Sequence, residues 1–229
     1  MSSDPADVVA EARKVYWALQ DQQLAASALG QIAEWVATGE APPAERLRKL
    51  GFASAGESGP QSDFWFVQRA FARNWGFAIP CAEMVTALLP LVPLVEVGAG
   101  SGYLTAFLCA AGLDVIATDA AAGDQTIYGF VAGARRPVER LDGVAAVSKY
   151  SDRNVLCSWP TKGSAWALAA ARRLAIGRAF ILIGQVNGAT TGTPGLRHFL
   201  RTRFEQIDEV AIPQFPGAED RLMVFRRTR

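Results

Sequence analysis

The segment VEVGAGSGYLTAFLCAAGLDVIATDA, from Val95 to Ala120, restricts the fold more than any other part of the chain. A short apolar run, LVEV, enters a turn with glycines at 98, 100 and 102. An apolar stretch of helical length follows, with Gly112 as its stop, and then a second apolar run, DVIATD, that closes on Asp119. The first glycine permits a tight turn off the strand, and the second lets the backbone approach a ligand closely. A strand, a helix over Gly102–Ala111 and a second strand in this order make a crossover unit with two neighbouring parallel strands.

The same rhythm continues downstream. The pattern predicts a helix over 81–89, a short strand near Pro137–Arg140 and a helix over Asp142–Tyr150. It predicts a fourth strand at Asn154–Ser158, a helix over Lys162–Ile176 ended by Gly177, and a fifth strand at Ala179–Gly184. A helix over Leu196–Phe204 and strands at Glu209–Ile212 and Leu222–Phe225 complete the series. Alternation of this kind implies a Rossmann-like, doubly wound α/β sheet of seven mostly parallel strands. The connection between the final two strands is too short for a crossover helix, so the last strand is expected to run antiparallel. Upstream, residues 7–38 read as helical, with Asp7 as a cap, and Asp63 caps a second helical stretch. Residues 1–77 are thus expected to be a helical extension, a lid or substrate wall, and residues 78–229 the cofactor-binding core.

Charge chooses among nucleotide-like ligands. Position 103, where a dinucleotide fingerprint would carry its third glycine, is tyrosine; the spacing is the tighter G-x-G-x-G. Glu96, two residues before the first glycine, puts a carboxylate at the mouth of the strand. It would repel a pyrophosphate and attract a ligand bearing an ammonium and a sulfonium. Asp119, closing the neighbouring strand, can accept hydrogen bonds from ribose hydroxyls. The set fits S-adenosyl-L-methionine better than NAD.

The formal net charge of the 229-residue chain is +1, which disfavours nucleic acid as a partner because phosphate contacts need a basic surface. The basic cluster Arg226-Arg227-Thr228-Arg229 reads as a frayed, solvated tail. The three cysteines, Cys81, Cys109 and Cys157, are far apart and lack metal-ligand spacing, so no metal site and a reduced, cytoplasmic setting are expected. No stretch is long and apolar enough to span a bilayer. The single histidine, His198, leaves no histidine pair for proton shuttling. The apolar N-terminal helices offer a possible homodimer contact.

With EVGAGSG (Glu96–Gly102) and the acid of VIATD (Asp119) in view, the chain resembles the class I S-adenosylmethionine-dependent methyltransferases over roughly residues 78–227. It also resembles a narrower group of bacterial and fungal methyltransferase-like proteins. The stretches carrying that likeness are Ala78-Ile79-Pro80, Asp152–Pro160 (DRNVLCSWP) and Gly188–Thr193 (GATTGT). Thr161 stands where a second proline is common, and Leu141 where a glycine often precedes the acid. The resemblance implies a cofactor site of Glu96, Gly98, Ala99, Gly100, Gly102, Tyr103, Asp119, Ala120, Leu141 and Asp142, with Tyr103 near the methionyl end and Asp142 receiving the adenine amino group.

Methyl transfer from a sulfonium needs alignment of the acceptor and exclusion of water more than it needs covalent help. Ligands bind outside the carboxyl ends of the strands, so Cys157, Ser158, Trp159 and Pro160 after the fourth strand are candidates for the acceptor wall. Trp75 and Phe77 are further candidates, with core packing as the competing role. Trp159 serves either as a plate against substrate or sulfonium or as packing at a strand end. Cys157 is not expected to act as a nucleophile, and Pro80-Cys81 precedes the first strand instead of following the fourth, unlike the pair of cytosine-C5 methyltransferases. Gln185 and Asn187, after the fifth strand, are outer candidates. The function expected is methyl transfer to a small molecule. A non-catalytic S-adenosylmethionine-binding sensor or partner subunit is the alternative, and an NAD-dependent oxidoreductase a weaker one.

Overall fold

The computed structural model describes residues 38, 72, 76–122, 137–185, 191–214 and 219–229. The helices expected over 7–38 and from Asp63 onward, Trp75, Asn187 and the first part of the Gly188–Thr193 stretch lie outside these residues, apart from Thr38 and Ala72, which are helical.

Seven strands form one sheet in the order β3-β2-β1-β4-β5-β7-β6. They are β1 (Leu94–Val97), β2 (Val115–Asp119), β3 (Val138–Arg140), β4 (Asn154–Ser158), β5 (Ala179–Gln185), β6 (Phe204–Ala211) and β7 (Asp220–Arg227). The pairs β1–β2, β2–β3, β1–β4 and β4–β5 are parallel, whereas β7 is antiparallel to both β5 and β6. This is the Rossmann-like, doubly wound sheet with an antiparallel last strand that the alternation implies. The described helices are α1 (Ala82–Leu88), α2 (Tyr103–Ala110), α3 (Gly143–Lys149), α4 (Trp166–Arg173) and α5 (Pro194–Arg203), with a 3-10 turn at Leu89–Leu91.

Successive strand residues point to opposite faces, and two cores result. On one face Leu94, Val115, Leu156, Ile181, Ile183 and Val224 pack with Met84 and Leu88 of α1 and Leu104, Phe107 and Leu108 of α2. On the other, Val95, Val97, Val155, Phe180, Leu182 and Phe225 meet Ala146, Ala167, Ala170, Leu196 and Leu200 of α3, α4 and α5. Fully buried side chains such as Phe107 and Phe180 each contribute about 2–3 kcal/mol by leaving water. Alternation also assigns Glu96: between Val95 and Val97, it must project toward α2, the face of Leu94.

The structure corrects three expectations. The helix predicted over Lys162–Ile176 is confined to Trp166–Arg173. Thr161 bridges to Thr191, and Gly163 N–H donates to Gly192 O (3.0 Å), so this stretch serves as a connection. Phe204 is the first residue of β6 and not the end of a helix; that strand is exposed along most of its length and takes its register from β7. The arginine-rich end is not frayed. Arg226 and Arg227 belong to β7, and the Thr228 and Arg229 amides donate to Arg203 O at 3.0 and 3.2 Å.

Candidate functional site

The sheet order reverses between β1 and β4: the chain runs from β1 out to β3 and then returns to the other side of β1. A crevice opens at such a switch point, beyond the carboxyl ends of the strands. Here it is a cavity of about 380 Å³. One wall is the loop after β1, with Glu96, Gly98, Ala99, Gly100 and Tyr103; the other is the loop after β4, with Ser158, Trp159, Pro160, Thr161 and Lys162. Gly76, Phe77 and Trp166 complete it. Half of the candidate site residues singled out in the sequence therefore meet around one space.

The loop after β1 folds back onto β2. Gly98 and Ala99 N–H both donate to Thr118 O (2.9 and 3.0 Å), and Gly100 N–H donates to Asp119 Oδ2 (2.9 Å). Ala121 N–H donates to Asp119 Oδ1 (2.8 Å). Asp119, only 4% exposed, is thus the clamp that ties the end of β2 to the glycine turn. Gly98 has a second reason for its identity besides its φ of +78°. A Cβ there would lie 2.5 Å from the Cη2 atom of Trp166, whose indole rests on the turn.

Glu96 is 1% exposed and accepts a hydrogen bond from Thr105 Oγ1 of α2 at 2.5 Å. Burial pushes its carboxyl up to about 7; the Thr105 hydrogen bond pulls the other way, and the nearby Asp119 charge adds a smaller upward push. Asp220, also buried, is pushed up to about 7 by desolvation, against the Trp159 indole and Arg221. In the unfolded chain both carboxyls ionise near pH 4. Between that pH and about 7 the folded state holds protons that the unfolded state has lost, so stability falls as pH rises through this window. For Glu96 the full extent is on the order of 3 kcal/mol. Thermal melts of the protein without ligand are expected to show a lower midpoint at about pH 7.5 than at about pH 5.5. Glu96→Gln should flatten that slope by roughly half; a variant with the native slope would contradict the assignment.

Tyr103 opens α2, and its hydroxyl is engaged. It donates to Ala78 O (2.7 Å) and accepts from Ala78 N–H (2.8 Å), pinning the Ala78-Ile79-Pro80 segment to the core. A Cβ on Gly76 would stand 2.4 Å from the Tyr103 ring, so this approach also requires glycine. The pinned segment presents Phe77, whose ring stacks on Trp159 with centroids 5.0 Å apart and planes 23° apart. Trp159 has a φ of +48°, the only positive φ among the described non-glycine residues. Its backbone N–H donates to Ile183 O at 2.7 Å.

The other candidates do not line this cavity. Gly102 caps α2 from behind the turn. Leu141 N–H donates to Asp119 O (3.2 Å), and Ala120 is exposed beside it. Asp142 Oδ1 caps α3 through the amides of Val144 and Ala145, both at 2.9 Å. Cys157 faces the opposite core, where burial pushes its thiol up and makes it a poor nucleophile. Gln185 lines a separate cavity of about 230 Å³ beside α5. Among the described residues no cluster of His, Cys, Asp and Glu could hold a metal, and no helix is long and apolar enough to cross a membrane.

Sequence reading missed Trp166, Lys162, Thr105 and Asp220. Thr105 carries a signal, since a hydroxyl on the strand-facing side of α2 is placed to meet a buried Glu96. So does Asp220: an acid at the start of an antiparallel strand falls at the edge where the parallel strands end.

No protein-family model matches the sequence, and no curated protein matches it. Among solved structures, the chain is similar to the magnesium protoporphyrin IX methyltransferase ChlM of Synechocystis PCC 6803 with bound SAM, at 19% identity and a TM-score of 0.45, over 63% of this chain and 76% of that one. It is similar to the N-methyltransferase NodS of Bradyrhizobium japonicum WM9 in complex with S-adenosyl-L-homocysteine, at 15% identity and a TM-score of 0.41, over 64% and 87%. It is similar to TehB of Haemophilus influenzae at 12% identity and a TM-score of 0.40, over 70% and 67%. Likeness at this level decides nothing about chemistry, which must come from the cavity's own residues.

Proposed function

We propose that the protein is an S-adenosylmethionine-dependent methyltransferase acting on a small molecule, with the donor held at the loop after β1. The observation that carries this reading is the direction of the loop amides. Gly98, Ala99 and Gly100 N–H all point away into β2 and Asp119, so these three are not offered as an anion cradle. A carboxyl group, Glu96, lines the cavity instead. That surface disfavours a pyrophosphate and suits a donor whose reactive end is cationic. Glu96 would face the cationic end, and Asp119, with lone pairs left on both oxygens, the ribose.

When bound, the donor supplies a methyl group on an excellent leaving group. The chain's own part is to place the acceptor and exclude water. Phe77, Trp159 and Trp166 give the cavity flat apolar walls, and Lys162 is the one basic group among the described residues that line it. Residues 1–77 would add a lid over this opening, and the helices there a contact between two copies. A second reading, a binding protein without catalysis, is favoured by one fact: His198, the sole histidine, is exposed on α5 and absent from the cavity lining.

Calorimetry tests the donor assignment. S-adenosylmethionine is expected to bind saturably and NAD not at all. Because a cation beside Glu96 lowers its pKa, binding near neutral pH should release protons, seen as an enthalpy that depends on the buffer. Asp119→Ala should weaken binding by at least about tenfold. Native affinity in that variant, or binding of NAD alone, would overturn the assignment. Transfer of labelled methyl to a metabolite extract then separates enzyme from sensor.

A further inference from the structure

Two unmet polar atoms lie behind the cavity wall. The indole Nε1 of Trp159 and Oδ1 of Asp220 are both buried, and neither makes a hydrogen bond. They belong to neighbouring places in the fold. Because β7 runs antiparallel, its first residue reaches the edge where β4 and β5 end: Asp220 pairs with Gln185, and Leu222 with Ile183. Trp159 donates its backbone N–H to that same Ile183. A hydrogen bond from the indole would favour the ionised form of Asp220, but as placed the Trp159 Nε1 and Asp220 Oδ1 atoms fall short of one. A donor and an acceptor left unmet in a protein interior are costly, and a hydrogen bond between them would satisfy both.

The backbone at Trp159 is independent testimony. A bulky residue at a φ of +48° persists only where its surroundings hold it, and such residues gather where a side chain must be aimed. What is aimed here is an aromatic plate, stacked on Phe77 and facing the cavity. We propose that Asp220 is the positioning residue for this plate: its carboxylate captures the Trp159 indole N–H and so sets the acceptor wall. Its functional meaning rests on the methyltransferase reading, whereas the contact itself does not.

Among the described residues, the charged and titratable groups around Asp220 are few. Arg221 follows it on β7 and favours its ionised form. Tyr103 of α2 feels both Asp220 and Glu96 of β1. Glu219 precedes it in the chain, and the neutral Gln214 accepts its backbone N–H through Oε1 at 2.8 Å. Two carboxyls, Asp220 and Glu96, could therefore impose a pH dependence on the plate, and the test must separate them.

The test is the indole N–H resonance of Trp159 in the full chain labelled with 15N-tryptophan, assigned by its loss in Trp159→Phe. In the native protein it is expected to move downfield as pH rises through the ionisation of Asp220. Asp220→Asn should abolish the movement, and Glu96→Gln should keep it. A native resonance that stays flat between about pH 5 and 9 overturns the proposal, as does movement lost in Glu96→Gln but kept in Asp220→Asn. Should Asp220→Asn fail to fold, the native and Glu96→Gln titrations decide alone. If labelled transfer identifies an acceptor, Asp220→Asn should raise its KM several-fold while donor affinity stays within about twofold. An indole that titrates in a protein that binds no S-adenosylmethionine would leave this contact standing and remove the methyltransferase reading.

Discussion

Gly98→Ala is expected to lower the melting temperature by roughly 5–15 °C and to weaken S-adenosylmethionine binding by more than about tenfold. Two costs combine. A residue with a Cβ at a φ of +78° loses about 1–2 kcal/mol to backbone strain. The new methyl, 2.5 Å from Trp166, forces the indole or the turn to move, which costs about 1–3 kcal/mol more. Both changes fall on walls of the same cavity, so affinity should suffer along with stability. A double-mutant cycle with Trp166→Ala separates the two costs: removing the indole should relieve the steric part and leave the backbone part. Melting within about a degree of native, with native donor affinity, would show that neither the turn nor the indole is held as described.

The second large effect is expected from Tyr103→Phe. A buried tyrosine hydroxyl usually serves one partner; this one serves both backbone groups of Ala78, which is itself 1% exposed. Removing it strands a buried amide and a buried carbonyl together, at about 1–3 kcal/mol each. The loss should total about 2–5 kcal/mol, a large share of the stability of a typical domain. Equilibrium denaturation measures it directly. Hydrogen exchange should also show the Ala78 amide opening far faster than the amides of β1. A loss under about 1 kcal/mol would mean that the segment before α1 finds other partners.

The framework was legible in the sequence because the central strands are buried on both faces. Such strands read as unbroken apolar runs bounded by turn residues, and Asn154–Ser158 begins and ends where the pattern places it. The glycine turn, Glu96 and Asp119 were legible for a related reason, since their residue types are unusual at the end of a strand. β6 was not legible. It lies at the sheet edge, exposes Glu205, Gln206, Asp208 and Glu209, and takes its register from β7 and not from its own pattern. The start of α4 was hidden as well, because the Thr161–Thr191 bridge that holds Lys162–Ala165 out of the helix joins distant parts of the chain. Trp166 and Asp220 reach the site by the same kind of long-range placement.

The place of β7 in the sheet has a consequence for synthesis. It inserts between β5 and β6, although both precede it in the chain. While the ribosome is still translating beyond β6, that edge strand has no ladder to join, and one flank of β5 is bare. The sheet closes, and Asp220 arrives beneath Trp159, only when β7 has left the exit tunnel. The half of the sheet from β3 to β5 can assemble during elongation, whereas the far edge must wait, open to chaperones or to stray strands, until β7 is outside the ribosome.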